Sequence, residues 1–485
     1  MKYGSCSVSF LLLLLGRPVG AAALGPEAQA PRVQQPGGTV QVAPTAGLLQ
    51  DPAYGGIPTG QATDTPIRLS LSEAIARGLK YNLAGLLGEE GIRLAEADKR
   101  RILSRLLPNL SAGVSESQQQ VNLLALGFGG FPGIPTVIGP FSVFDTRLFL
   151  SQAVVDLPAL RQNRAASEQV RSAQFSYRNT RDRVVYVCGD LYLQAVAGRS
   201  RIAAARAQLD TAQQLYGLAV DLKQAGVAPG IEVLRAQVEL QTQQQRLIVA
   251  DNEHAKQKLS LARAIGLPLG QQFDMTDELP YAPFLAMTLD QALEQAYRDR
   301  ADYQSAMAQV RAAEAAKKAA QASYLPSFRL TGNYGVNGPA PGWSHGSYTL
   351  AATLQVPIYQ GGEVQARVRE EDSRLKDRQA ELADLKGRIY YEIRTAFLNL
   401  QSADENVKVA GSAVKLAQEQ LGQAQDRFSA GVASNIEVVE AQEAVANATE
   451  AYISSLYAHN ISKGRLAQTL GAAESSFLQF VRGNP

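Results

Sequence analysis

The chain contains two copies of one sequence plan, and this repetition limits its fold more than any other feature. AGVAPGIEVLRAQ begins at Ala225 and AGVASNIEVVEAQ begins at Ala430, with nine of thirteen positions identical. LSLSEAIARGLKYN from Leu69 and MTLDQALEQAYRDR from Met287 form a second matched pair. Because the paired phrases occur in the same order, we predict two structural repeats that fold alike.

Segments of different character surround the two repeats. An apolar run followed by small residues predicts a signal peptide over 1–23, removed on export. Residues 24–66 are rich in Pro, Gly, Ala and Gln, which is typical of a flexible extension. The repeats are assigned to 67–270 and 287–472, and 473–485 is assigned to a C-terminal tail. After the signal peptide, no apolar run is long enough to span a bilayer as a helix.

Each repeat predicts three helical stretches, and the middle one is very long. The predicted helices are Ser72–Leu107, Ala159–Gln224 and Ile231–Ile265 in the first repeat, and Leu289–Leu325, Glu363–Ala430 and Asn435–Leu470 in the second. The middle helix would be about 100 Å long, and the other two about 50 Å each. The short pair is therefore expected to lie end to end beside the long helix. Helices of this length have no globular core to bury into, so they must pack as coiled coils.

A period of two residues replaces the helical period between the first and second helix of each repeat. In the second repeat, apolar and polar residues alternate on both sides of NGPAPGWSHGS, which predicts a hairpin over about 327–357. The first repeat predicts the matching hairpin at about 109–153, although Glu116 interrupts its apolar face. The connection 119–141 is broken by Gly and Pro and is predicted to be a loop. Each strand is about ten residues long, which suits a tilted strand that spans a bilayer.

The remaining composition argues against an enzyme and against a nucleic-acid partner. Loss of the signal peptide removes two of the 47 basic residues and leaves the chain neutral against 45 acidic ones, which gives no support for nucleic-acid binding. Cys188 would remain as a single cysteine and is expected to be buried in a helix. His254, His345 and His459 are scattered, and no hydrolase, phosphate-binding or metal motif occurs. We therefore expect no catalytic residue, no cofactor and no metal.

The ordered phrases resemble those of the TolC-type outer-membrane efflux channel family over about residues 67–471. The phrases that carry the resemblance are LSLSEAI and MTLDQAL, LLP and YLP, SQAVVD and VPIYQGG, and the two AGVA-x-x-IEV-x-x-AQ turns. The resemblance implies a mainly α fold with transmembrane β strands. In such a fold, helices from three identical chains form a long coiled-coil barrel, and four strands per chain form a shared twelve-stranded β-barrel.

The resemblance also implies a function, a location and partners. The protein would be a passive duct of a tripartite efflux or type I secretion system, in the outer membrane of a Gram-negative-type bacterium and extending into the periplasm. Its partners would be two further copies of itself, a periplasmic adaptor (membrane fusion) protein, a proton-driven or ATP-driven inner-membrane pump and outer-membrane lipid. The residues do not indicate the exported substrate or the class of pump.

The strand count supports a trimer independently of the resemblance. Four strands cannot close into a barrel, and a lipid-exposed sheet edge is not tolerated in a bilayer. Three chains supply twelve strands, whereas two supply eight, which closes too narrow a barrel to pass much solute. The alternative is a secreted coiled-coil structural or adhesin protein without a channel. That alternative explains the long helices but not two matched hairpins of alternating strands.

The repeated AGVA phrase predicts a tight turn one long helix away from the strands. Gly226 and Gly431 suit the left-handed position after a helix, where the valine that follows can fold back onto the last turn. In the second repeat, Ser434 and Glu437 are predicted to form a capping box. The resemblance implies that these turns form the periplasmic tip that docks the adaptor. The predicted tip residues are Gly226, Val227, Ala228, Gly431, Val432, Ala433 and Ser434.

Two glutamates beside the second turn are candidates for a gate. Glu437 and Glu440 lie one helical turn apart on one face. The resemblance implies acidic rings at the constriction, where three copies would attract cations and raise carboxyl pKa values. Arg235 and Glu232 complete the candidate gate, because Ala433 occupies the place of the basic residue that closes it in the family, and Arg235 could substitute. The alternative is that Glu437 only caps the helix and that Glu440 is solvated.

Overall fold

The computed structural model describes residues 51–127, 133, 135–283 and 287–482. The predicted signal peptide and residues 24–50 of the predicted extension lie outside these residues. The elements in chain order are β1 (Ile67–Leu69), α1 (Leu71–Tyr81), α2 (Leu83–Leu103), β2 (Asn109–Asn122), β3 (Val137–Val155), α3 (Leu157–Gln224), α4 (Gly230–Ala264), β4 (Phe273–Met275), α5 (Leu289–Asp299), α6 (Ala301–Ala322), β5 (Ser327–Gly338), β6 (His345–Gln355), α7 (Glu363–Ser429), α8 (Asn435–Thr469) and α9 (Ala473–Arg482). Among the described helices, none combines the length and the apolar character that a bilayer crossing requires.

The two predicted repeats are present and match closely. The long helices α3 and α7 contain 68 and 67 residues, and α4 and α8 contain 35 residues each. In the first repeat, α1, α2 and α4 all pack along α3, and in the second, α5, α6 and α8 pack along α7. This arrangement confirms that the short helices of each repeat lie beside the long one.

The first predicted helix of each repeat is in fact two helices. The break falls at Asn82 in the first repeat and at Arg300 in the second, which are equivalent positions, and both residues have extended backbone. At the first break, the buried Asn82 amide donates to the carbonyls of Ala53 and Ala264, at 2.7 and 3.0 Å, while its oxygen caps Ala84 at 3.0 Å. These bonds replace the helical bonds that the break removes.

The second break is stabilised by charge instead of by an amide. The Arg300 side chain is 9% exposed and pairs with Asp302 and Glu392, each at 2.7 Å. It also donates to the carbonyl of Thr469 at 3.3 Å. All of these partners except Asp302 are distant in sequence, so local helix propensity could not predict the break.

The four predicted hairpin strands form one antiparallel sheet in the order β2-β3-β5-β6. The strands of the first repeat are longer than predicted, because β2 and β3 stay paired up to Asn122 and Val137. Both ends of the segment 119–141 predicted as a loop, 119–122 and 137–141, are therefore strand, while residues 128–132 and 134 lie outside the described part. Glu116 is opposite Phe144, which is level with Gly338 at the end of β5. The glutamate therefore sits where the four-stranded part of the sheet ends.

The two faces of the sheet differ in character. The apolar face carries Leu110, Ala112, Val114, Leu148, Leu150, Leu330, Tyr334, Val336, Tyr348, Leu350 and Leu354. On the opposite face, the Arg147 guanidinium donates to Asp145 at 2.9 Å, to Asn333 at 2.8 Å and to Ser347 at 3.2 Å. This network ties three strands together on the polar face.

Both segments that flank the predicted repeats are packed where the structure describes them. Within residues 51–66, the Ile57 amide donates to the Tyr81 carbonyl at 2.9 Å, and the Thr63 amide donates to Gln271 at 2.7 Å. This part of the expected flexible extension is therefore held against the helices. The predicted C-terminal tail contains α9, which buries Phe477 between Gly189 and Gly464 of α3 and α8.

Apolar packing concentrates where the two repeats meet the linker between them, which the structure describes over residues 271–283. One cluster joins α1, α3, α4, β1, β4 and α9, and a second joins α5, α7 and the end of α8. Cys188 is fully buried in the first cluster, as predicted, and burial raises its pKa to about 12. Gly78 lies against it, and a Cβ there would come within 2.4 Å of the Cys188 sulfur.

Candidate functional site

The repeated AGVA turns have the predicted left-handed glycines. Gly226 has φ 73° and Gly431 has φ 74°. In each turn, the amide of the next valine donates to a carbonyl of the preceding helix, Leu222 at 2.9 Å or Arg427 at 3.0 Å. This is the Schellman arrangement, which satisfies the free carbonyls at a helix end. An added Cβ at either glycine would meet nothing within 4 Å, so backbone conformation is what favours glycine here.

The side chains at the turns point outward. Val227 and Val432 are 65% and 70% exposed, so only their backbones fold back onto the helix. Ala228 and Ala433 are half-buried beside them, and Ser434 is exposed. The two turns therefore present a small apolar surface at one end of the helices.

The predicted capping box at the second turn is absent. Ser434 stands at the N-cap position of α8, but its side chain makes no hydrogen bond to the helix. The Glu437 carboxylate contacts Arg427 instead, with Nε and Oε2 3.4 Å apart. Arg427 lies in the last turn of α7, so this pair joins two helices across the turn. Sequence reasoning missed Arg427 as the partner of Glu437 because Arg427 lies on α7 and Glu437 lies on α8.

Capping boxes do form elsewhere in both repeats. Ser70 and Glu73 make one at the start of α1, and Thr288 and Gln291 make the equivalent one at the start of α5. They belong to the phrases that open the repeats. These residues cap helices, whereas Glu437 caps none and pairs with Arg427 instead.

Glu437 and Glu440 are both exposed and lie one turn apart, as predicted. They differ in their surroundings, because Glu437 has Arg427 beside it while Glu440 makes no ion pair with any described residue. Of the two glutamates, Glu440 therefore carries the unbalanced negative charge.

Arg235 and Glu232 bind each other instead of the second turn. Their side chains are 2.9 Å apart within α4, and the Glu232 side chain is only 10% exposed. The Glu232 carbonyl also accepts a hydrogen bond from the fully buried Asn435 at 3.3 Å. Sequence reasoning missed Asn435, although it stands where the first repeat has Gly230. That difference between the repeats was the available signal.

A groove of about 420 Å³ separates the first turns of α4 and α8. Its walls are the apolar side chains of Ile231, Leu234, Val238, Ile436 and Val439, and its edges carry Arg235, Glu239 and Glu440. Arg235 and Glu440 thus border the same groove without forming an ion pair. Just behind it, Leu215, Ala424, Phe428, Val438 and Ala441 form a buried cluster that joins α3, α7 and α8.

A family model described as outer membrane efflux protein matches residues 93–267 and 292–472. The chain belongs to this family. It is therefore an outer-membrane efflux channel, and the family is one of channel proteins. The two matched segments fall within the two repeats.

Two relatives and two solved structures illustrate the similarity. The chain is 25% identical over 405 residues to the pyoverdine export outer membrane protein OpmQ of Pseudomonas aeruginosa, covering 80% of this chain and 83% of that one. It is 24% identical over 389 residues to the toluene efflux pump outer membrane protein TtgC of Pseudomonas putida, covering 76% and 75%. The Campylobacter jejuni CmeC outer membrane channel shares the fold with a TM-score of 0.72, 18% identity and coverage of 94% and 96%. The open Neisseria gonorrhoeae MtrE channel has a TM-score of 0.72, 18% identity and coverage of 91% and 98%.

Proposed function

We propose that three copies of the chain form a passive export duct that receives its cargo from an inner-membrane pump through a periplasmic adaptor. The observation that carries this proposal is the open sheet. The outer strands β2 and β6 each have one edge without a partner in the described part of the chain. Because one face of the sheet is apolar and suits lipid, those edges need partners within the bilayer. Pairing β2 of one copy with β6 of the next closes a twelve-stranded barrel.

The helices support the same assembly. The outward faces of α4 and α7 keep large apolar side chains exposed in the single chain. They are Val238, Ile248 and Leu259 on α4, and Leu398, Val409 and Leu416 on α7. Rows of exposed apolar residues on long helices mark surfaces that pack against other helices. Contact between α4 of one copy and α7 of the next would cover both rows.

In this trimer, Glu440 is the main charge of the gate. Three unpaired carboxylates around a narrow axis attract cations and hold multivalent ones. Arg427 offsets part of the charge of Glu437, so that residue contributes less to the field. Arg235 would have to leave Glu232 before it could reach Glu440, so any closing contact from Arg235 competes with a pair that already exists.

The two turns are the proposed docking surface for the adaptor. Their exposed valines and small neighbours leave a smooth apolar end that a partner can approach closely. The two relatives are named for pyoverdine and for toluene, although each is about one quarter identical to this chain. That range of cargo supports a duct that leaves the choice of cargo to the pump.

Mass measurement of the detergent-extracted protein tests the proposal. A trimer that conducts ions in planar bilayers is the expected result. A stable monomer, or a protein that purifies without detergent, would favour the coiled-coil structural protein instead. Arg147→Gln is a control variant for this measurement. It removes a bond network on the polar face of the sheet but leaves both edges and the apolar face unchanged, so it should still form the trimer.

A further inference from the structure

A cavity of about 210 Å³ lies where the four long helices α3, α4, α7 and α8 meet. It is separate from the turns and from the groove beside the gate. Four glutamines line it, one from each helix: Gln208, Gln243, Gln418 and Gln442. Gln243 and Gln442 are the buried members of this set, which is unusual in a coiled coil, whose inner positions are normally apolar.

Two of these glutamines are buried with unsatisfied polar atoms. Gln243 is 2% exposed and Gln442 is 6% exposed. The Gln243 amide donates to Glu239 at 2.6 Å, but its oxygen has no hydrogen-bond partner within the described residues. Neither polar atom of Gln442 has such a partner. Buried polar groups are almost always bonded, so these three atoms require a ligand that both donates and accepts.

We propose that the cavity is an internal water-binding site, which forms a polar layer where the hairpins α3–α4 and α7–α8 can shift against each other. A water molecule occupies about 30 Å³ in the liquid, so the cavity has room for several. Water supplies both donors and acceptors, which the two carboxamides need. The unsatisfied amide atoms and the volume of the cavity are thus both consistent with water as the ligand.

The surroundings of this polar layer favour movement at its level. On the side toward the turns, the Leu215–Phe428–Val438 cluster packs α3, α7 and α8 with apolar contacts. On the other side, Arg201 pairs with Glu450 at 2.9 Å. Water-mediated bonds can re-form after a displacement, whereas interlocked apolar side chains cannot move without losing contact. The polar layer is therefore a level at which the two hairpins can shift against each other.

Opening of the gate would use this shift, a step that rests on the proposed function. Gln442→Leu tests it, because leucine is similar in size and removes both unsatisfied atoms. Gln237→Leu is the matched control, since Gln237 is the equivalent residue of the first repeat and is exposed. We expect Gln442→Leu to lower Tm in detergent by roughly 1–2 °C, because leucine removes the amide atoms that bond the water. We also expect it to open less often than the wild type in single-channel recordings, while the control changes neither quantity.

Every other outcome contradicts one part of the proposal. An unchanged or higher Tm for Gln442→Leu would overturn the water site, because it would mean that the two amide atoms of Gln442 have no water partner. A lower Tm with normal opening would overturn the role of the layer in movement. A wild-type protein that never conducts would refute the proposed function, while the Tm comparison would still test the water site. Gln442→Met replaces the first variant if it does not assemble, with the same expected shift.

Discussion

His459 provides the sharpest test of the packing around the linker between the repeats. It is fully buried in α8, and neither ring nitrogen has a hydrogen-bond partner among the described residues. The Asp404 carboxylate lies 3.6 Å from Nε2, the Tyr281 ring of the linker lies 5.4 Å from the imidazole, and Lys408 and Lys463 add positive charge. Burial, together with the charge of Lys463, lowers the pKa of His459 to about 4.

The pH dependence follows from this lowered pKa. When this region opens to solvent, the His459 pKa returns to about 6.5. The open form therefore binds a proton between pH 6.5 and pH 4 while the closed form does not, so the closed form loses stability as the pH falls through this window. Between pH 7 and pH 5, the loss is about 2 kcal/mol, or roughly 20-fold in the opening equilibrium. Burial lowers the pKa of Lys463 only to about 8, so Lys463 stays largely protonated in both forms.

Hydrogen exchange of residues 453–466 at pH 7 and pH 5 measures this loss once the intrinsic exchange rates are corrected. We expect about 20-fold more opening at pH 5 in the wild type and equal opening at both pH values in His459→Gln. His254→Gln is the matched control, because His254 is the equivalent residue of the first repeat, and it should keep the wild-type response. Equal protection of the wild type at both pH values, or a pH response that survives His459→Gln, would refute the reasoning.

Four further predictions concern the gate, the turn and the helix packing. Glu440→Gln should weaken cation selectivity and multivalent block in planar bilayers. Unchanged selectivity and block would mean that Glu440 lies on a solvated surface and not at the gate. Gly431→Val should reduce efflux in drug-susceptibility assays more than Gly422→Val, because only Gly431 has a positive φ; equal effects would remove the turn from export. Asn82→Ala deletes three hydrogen bonds and should lower the free energy of unfolding by about 3 kcal/mol, read as a lower Tm. Gly464→Ala places a Cβ 2.4 Å from the Phe477 ring, so α9 should detach and become sensitive to proteolysis.

Features with local causes could be predicted from the sequence. Both long helices end at the predicted glycines, since a left-handed residue stops a helix wherever it lies. The alternation of β5 and β6 also placed their faces correctly, because side chains in a strand change sides at each residue. The residues needed for these conclusions are neighbours in the chain.

Features with distant causes could not be predicted in this way. The break at Asn82 depends on the carbonyls of Ala53 and Ala264, and the break at Arg300 depends on Glu392. The expected capping box failed for the same reason, because Arg427 on another helix contacts the Glu437 carboxylate. Comparing the repeats would have found part of this, since Asn82 and Arg300 occupy equivalent positions, and so do His254 and His459.

The differences between the repeats explain why one chain carries two similar hairpins with different tasks. At equivalent positions beside the turns, the first repeat has Arg235 bonded to Glu232, and the second has the unpaired Glu440. One hairpin therefore ends in a neutral pair and the other in a free negative charge. A threefold assembly would alternate these ends around the axis, so the negative charge would come from one hairpin of each copy. Asn435 joins the ends of the two hairpins within one chain, because its side-chain amide donates to the backbone carbonyl of Glu232. This bond does not depend on the charge of the Glu232 side chain. The backbone of the turn is therefore the same in both repeats, whereas the residues that differ between the repeats place the unpaired negative charge in the second repeat only.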